Sequence, residues 1–238
     1  MAEEKISEKI KGSWEFKTVF FILRVLGVLA FVVYLGMSAP AAFAWGQVFW
    51  VRSQPLAQLE TIRDRALAAD DPMLLTNWVQ RRPMFESDEI MQRLEPDSGK
   101  IGSLLFLRYA RYLHQAGQNE EAAFWQLYAR YRLRYDALRC GAPDGPETMT
   151  MILGFLAQND VQESIEADDQ KLATEIERVL KFDAKYPAEN NPSDICPIVQ
   201  KLSGGNYAMV PRENWAVIRH TLRMVTELSI KEMQGEKN

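Results

Sequence analysis

The sequence predicts an all-α protein, a helical bundle with one antiparallel hairpin, preceded by an apolar N-terminal leader. Three observations point there. Beyond Arg52, apolar residues recur at three- and four-residue intervals, and strictly alternating runs are almost absent. Capping residues and prolines stand where those periodic runs begin and end. The 47% hydrophobic and 25% charged content is that of an ordinary globular chain, and the roughly 190 residues after the leader suffice for one core.

The leader supports two readings. Only Arg24 is charged between Lys17 and Arg52, and residues 18–39 are its apolar heart. In one reading Lys5 to Arg24 form a basic n-region, Val25 to Leu35 an h-region, and Gly36 to Ala44 a small-residue c-region. Ala42 and Ala44 then occupy the −3 and −1 positions of a signal-peptidase site, and Trp45 becomes the new N-terminus. In the other, Phe16 to Ala39 is an uncleaved helix about 36 Å long, held with its N-terminus in the cytoplasm by Lys5, Lys9, Lys11 and Lys17. Both send the remainder to the same side of the membrane. The expected organisation is residues 1–44 as signal peptide or anchor and residues 45–238 as an exported helical domain, periplasmic or tethered to the inner membrane.

The elements follow in order. Pro55 to Ala69 reads as a helix with proline in its first turn. Asp70-Asp71-Pro72 ends it and can cap a second, MLLTNWVQRR, which Pro83 stops. Ser87 opens a short third helix that ends before Pro96. Ser98 to Ala116 and Asn119 to Cys140 form two long helices, and Gly117 between them suits the left-handed residue that closes the first. Pro146 to Gln158 and Asp168 to Tyr186 are two more. Residues 187–210 read as irregular, a length that calls for something to hold them down, before a final helix from Pro211 to about Met233.

The chain has two cysteines, Cys140 at the end of the second hairpin helix and Cys196 inside the irregular stretch. In an exported chain this even number predicts one disulfide, Cys140–Cys196, fastening that stretch.

In RYARYLHQAGQNEEAAFWQLYARYRLRYDALRC, the residues Phe124, Tyr128, Tyr131, Tyr135 and Leu138 form one stripe at four- and three-residue spacing, expected in the core. Ala110, Leu113, Gly117, Ala122 and Ala129 are small or apolar where two helices approach. With Ala110, Gly117, Glu120-Glu121 and Ala122 so placed, about 35 residues resemble the hairpin of a tetratricopeptide or Sel1-like repeat. The resemblance implies stacked helix pairs and a role in binding proteins. No constant period extends it along the chain.

This region is locally basic: Lys100, Arg108, Arg111, Arg130, Arg132, Arg134 and Arg139 outnumber Glu120, Glu121 and Asp136. Arginine interleaved with tyrosine suits an anionic partner, and Arg108, Arg111, Arg130 and Arg134 are the candidate contacts. The alternative is internal pairing with the acidic stretch QNDVQESIEADD. A net charge of −4 argues against nucleic acid as a partner.

Catalytic motifs are absent. His114 and His220 have no ligand partner at metal-binding spacing, and no nucleophile elbow, phosphate-cradling loop or dinucleotide fingerprint occurs. Glu86-Ser87 and Glu163-Ser164 lack the glycine-rich continuation of lytic transglycosylases. Asp168-Asp169 is explained by capping, and Ser203-Gly204-Gly205-Asn206 by a turn. No cofactor or metal is implied. The expected function is a non-catalytic interaction or scaffold module of the bacterial envelope, bound to another envelope protein and, if the leader is retained, to the membrane. The alternatives are an accessory subunit of a membrane complex and an envelope-polymer-modifying enzyme.

Overall fold

A computed structural model describes residues 56–142, 144–145 and 168–235, all within the compact unit Gln54–Asn238. The expected signal-peptidase site, the span at residues 16–39, the helix at 146–158 and most of the acidic stretch lie outside these residues. Among the described residues every regular element is helical, and no helix is long and apolar enough to cross a membrane.

Among the described residues eight α-helices follow one another: α1 (Leu59–Ala69), α2 (Pro72–Gln80), α3 (Ser87–Leu94), α4 (Leu104–Gln115), α5 (Asn119–Arg139), α6 (Asp169–Lys185), α7 (Cys196–Leu202) and α8 (Trp215–Met233). Their ends obey the sequence signals. Asp70 takes the left-handed conformation at φ 49°, which its short polar side chain tolerates, and so closes α1. The Asp71 carboxylate accepts from the Met73 N–H at 3.1 Å, with Pro72 in the first turn of α2. Asp168 caps α6 by accepting from Gln170 and Lys171. Gly117, at φ 76°, turns the chain from α4 into α5.

α5 is the central helix. Side chains all round it are buried, and α4, α6, α7 and α8 pack against it. The tyrosine stripe faces the core as expected: Phe124, Tyr128, Tyr131 and Tyr135 are buried and Leu138 half-buried. Phe106 of α4 packs edge-on to Tyr128 at 4.8 Å, and Phe182 of α6 meets Phe124, Trp125 and Tyr128 at 4.8–5.6 Å. Such edge contacts add about 0.5–1.5 kcal/mol each beyond burial.

Two expectations need correction. α4 begins at Leu104 rather than Ser98. Residues 98–103 form turns because the segment after α6 packs directly on their backbone; a Cβ on Gly102 would collide with the Asp194 carboxylate. Nor is the 187–210 stretch wholly irregular, since it contains α7. The disulfide Cys140–Cys196 joins the end of α5 to the start of this helix, with Cα atoms 5.1 Å apart. Leu133, Ala137, Ile195 and Val199 pack around it. Hydrogen bonds from Glu189 N–H to the Gly99 carbonyl (2.7 Å) and from Val210 N–H to the Arg139 carbonyl (2.9 Å) hold the rest.

Candidate functional site

The rotation of α5 sorts the arginines of the basic stretch into different environments. Arg132 and Arg139 are fully buried, so these two belong to the interior and not to an anion-gripping surface. Arg132 donates to the carbonyls of Ser98 (2.8 Å) and Ile101 (3.3 Å), to the Tyr128 hydroxyl (2.9 Å) and to Asn190 Oδ1 (2.9 Å). Arg139 donates to the Asn190 carbonyl at 2.6 Å, pairs with Asp136, and lies over the rings of Tyr135 (4.3 Å) and Trp215 (4.4 Å). The irregular segment 186–195 offers backbone acceptors that no helix satisfies, and a guanidinium supplies five donors in a fixed fork.

Asp194 completes this buried centre in an unusual state. It is fully buried, and neither carboxylate oxygen has a hydrogen-bond partner. Burial, reinforced by the charge of Asp136, pushes its pKa up to about 7, while Arg132 and Arg139 pull the other way. Asp136, by contrast, accepts from Ser103 Oγ at 2.7 Å and holds Arg139. No substrate reaches an acid so enclosed, so Asp194 acts on the fold. Sequence inspection missed it because nothing local distinguishes it from a turn aspartate.

The four candidate contact arginines divide between two clefts. Arg108 and Arg111 line one of about 330 Å³ beside Met84, Leu104 and Leu107. Arg108 donates there to the carbonyls of Arg82 (2.8 Å), Gln80 and Pro83 (both 3.3 Å), tying α4 to the end of α2; burial holds it below the usual arginine range. Arg111 is exposed. Arg130 and Arg134 line the other, about 160 Å³, between α5, α6 and α8. A third cleft of about 320 Å³ carries mixed charge from Asp70, Asp71, Lys100, Glu189 and Arg212. Asp70 there accepts from the Asn191 N–H at 3.0 Å and pairs with Arg212.

The other residues weighed in the sequence are placed as follows. His114 Nδ1 lies 3.0 Å from Asn119 Oδ1 at the hairpin turn, and His220 is exposed. Glu86 binds Arg82 at 2.6 Å, and Ser87 Oγ donates to the Met84 sulfur. No group of three His, Cys, Asp or Glu among the described residues is placed to hold a metal.

One feature escaped the sequence reading. α8 is apolar on two faces. Trp215 and Ile230 are buried, yet Val217, Met224, Val225 and Leu228 stand 65%, 46%, 54% and 46% exposed, more than enough to mark a second apolar stripe. The spacing was visible as valine, methionine and leucine seven and four residues apart. No family model matches the chain, and no curated protein or solved structure is detectably similar to it.

Proposed function

We propose that this chain is an exported, non-catalytic interaction module of the bacterial envelope that binds a protein partner through the outer face of α8. The observation that carries the reading is the α8 stripe: four large apolar side chains at seven- and four-residue spacing, left in water along one helix face. A helix presenting such a row fits an apolar groove or helix pair on another protein. Two features support the compartment. The leader reads as an export signal or anchor, and a buried disulfide is favoured where thiols are oxidised. The α4–α5 hairpin, with its tetratricopeptide-like pattern, serves as the rigid frame.

The test places a photo-crosslinking residue at Met224 in the native host, with and without Val217→Glu and Leu228→Glu. Both substitutions fall at exposed positions, where stability changes stay within about 0.5 kcal/mol. One discrete envelope-protein adduct, lost in the double variant with an unchanged circular dichroism spectrum, is the expected result. An adduct that survives the double variant removes the α8 face from the mechanism.

A further inference from the structure

We propose that the protein seated on the outer face of α8 is a second copy of this chain, its α8 lying antiparallel to the first. The inference rests on the reading of α8 as a docking face and names the occupant of that face. The stripe has the geometry such a pairing needs. At 100° per residue Thr221, Met224 and Leu228 lie within about 40° of Val217, whereas the buried Trp215 and Ile230 lie about 160° and 140° away on the inner face. The four outer positions follow one another at spacings of four, three and four residues, the order of a coiled-coil seam.

That order reads the same in both directions, so the seam is complementary to its own reverse. With the two-fold axis between Leu222 and Arg223, Val217 faces Leu228 of the second copy. Thr221 then faces Met224 of the second copy, a small side chain beside a long flexible one. A two-fold axis also sets each flank of the seam against itself. On one flank the half-buried Ile218 meets the exposed Val225 of the second copy. On the other the exposed His220 meets the exposed Glu227 of the second copy, and symmetry repeats the pair.

Charge decides the direction. Glu227 accepts from Arg223 of its own helix at 2.8 Å, and a carboxylate keeps further acceptor sites for an imidazole N–H. Parallel helices in register would instead set Glu227 against the exposed Glu232 of the second copy on both sides, and His220 against Val225. Like charges so placed disfavour that arrangement. A single-helix seam, about 16 Å from Val217 to Leu228 at 1.5 Å per residue, is small for a specific interface. The dimer is therefore expected to dissociate in the micromolar range.

The test uses the full, oxidised chain in non-ionic detergent. Val217→Cys and Leu228→Cys each carry one free thiol, because Cys140 and Cys196 are bridged. Mild oxidation should cross-link a mixture of the two variants and leave each alone as monomer, since like positions stand about 16 Å apart along the axis. His220→Glu should weaken self-association about fivefold by sedimentation equilibrium, and His220→Lys should strengthen it by a smaller factor. His220 is exposed, so neither change should alter the circular dichroism spectrum. No mixed cross-link, an equal cross-link in either variant alone, or one dissociation constant for both His220 variants overturns the proposal. In the native host the Met224 adduct separates this inference from the reading it rests on. An adduct at twice the mass of the chain supports both. An adduct with a different envelope protein refutes the second copy and leaves α8 as the docking face, and an adduct with lipid refutes both.

Discussion

Replacing Asp194 by asparagine tests the buried centre directly, because it removes a titration while nearly preserving shape. In the folded protein the carboxyl keeps its proton up to about pH 7, through burial and the neighbouring charge of Asp136, whereas the reference value is 3.8. Between those values the folded state holds a proton that the unfolded state has released, so stability falls as pH rises. Below about pH 4 both states are protonated and the contribution vanishes. Above about pH 7 both are ionised and the loss is complete. At 1.36 kcal/mol per pH unit, the interval from 3.8 to about 7 corresponds to a loss on the order of 4 kcal/mol. Asparagine has no such dependence. The groups that face Asp194, namely Asp136, Arg132, Arg139 and Thr76, are common to both proteins and cancel in the difference. Urea unfolding of the oxidised full chain, followed by circular dichroism at several pH values, should show the stability of Asp194→Asn rising relative to wild type from about pH 4 to 7 and levelling off above. Parallel curves, or a variant that loses ground as pH rises, would mean that Asp194 is ionised and paired in the folded state.

Two further outcomes follow from the same region. Reducing Cys140–Cys196, or replacing both cysteines by alanine, frees a loop with a sequence separation of 56 and should cost about 4 kcal/mol in the chain-entropy model. The urea midpoint with and without reductant measures it, and alkylation that labels both thiols before reduction contradicts the bridge. Arg139→Met leaves Asp136 buried without its cation and should cost about 3–5 kcal/mol. A loss under about 1 kcal/mol would show that Ser103 and water suffice to hold that carboxylate.

Much of the fold was legible because local chemistry and global packing agree at the helix ends. Asp71-Pro72, Asp168 and Gly117 each announce a boundary by capping or backbone conformation, and the chain turns there. α7 was illegible for a physical reason: its short run CPIVQKL buries only Cys196 and Val199, too few positions to reveal a period. The start of α4 was misread because the packing of a segment some ninety residues downstream decides it, and no local signal carries that. The arginines were a different kind of miss. At 100° per residue, Arg132 and Arg139 lie within about 40° of Tyr128, inside the aromatic stripe, whereas Arg130 and Arg134 lie about 160° and 120° from it. The same periodicity that assigned the tyrosines to the core therefore assigned two arginines there as well. Weighing basic residues by composition alone hid it.

That division gives the basic character of α5 two separate causes. Ser98, Ile101 and Asn190 present carbonyls or amide oxygens in a segment without helical partners, and Arg132 and Arg139 fill that need from the interior side. Their charge is consumed in holding the chain together, and the disulfide closes the same junction. Arg130 and Arg134 point away from this junction and line the cleft against α6 and α8. Those two helices are joined by the ion pair of Arg219 with the buried carboxylate of Asp183. The covalent and buried ionic bracing thus lies at one end of α5, while the open cleft lies between α5, α6 and α8 and the apolar stripe on the outer face of α8. We propose that the outer face of α8 and the cleft beside it, rather than the repeat-like hairpin, form the working face of this protein.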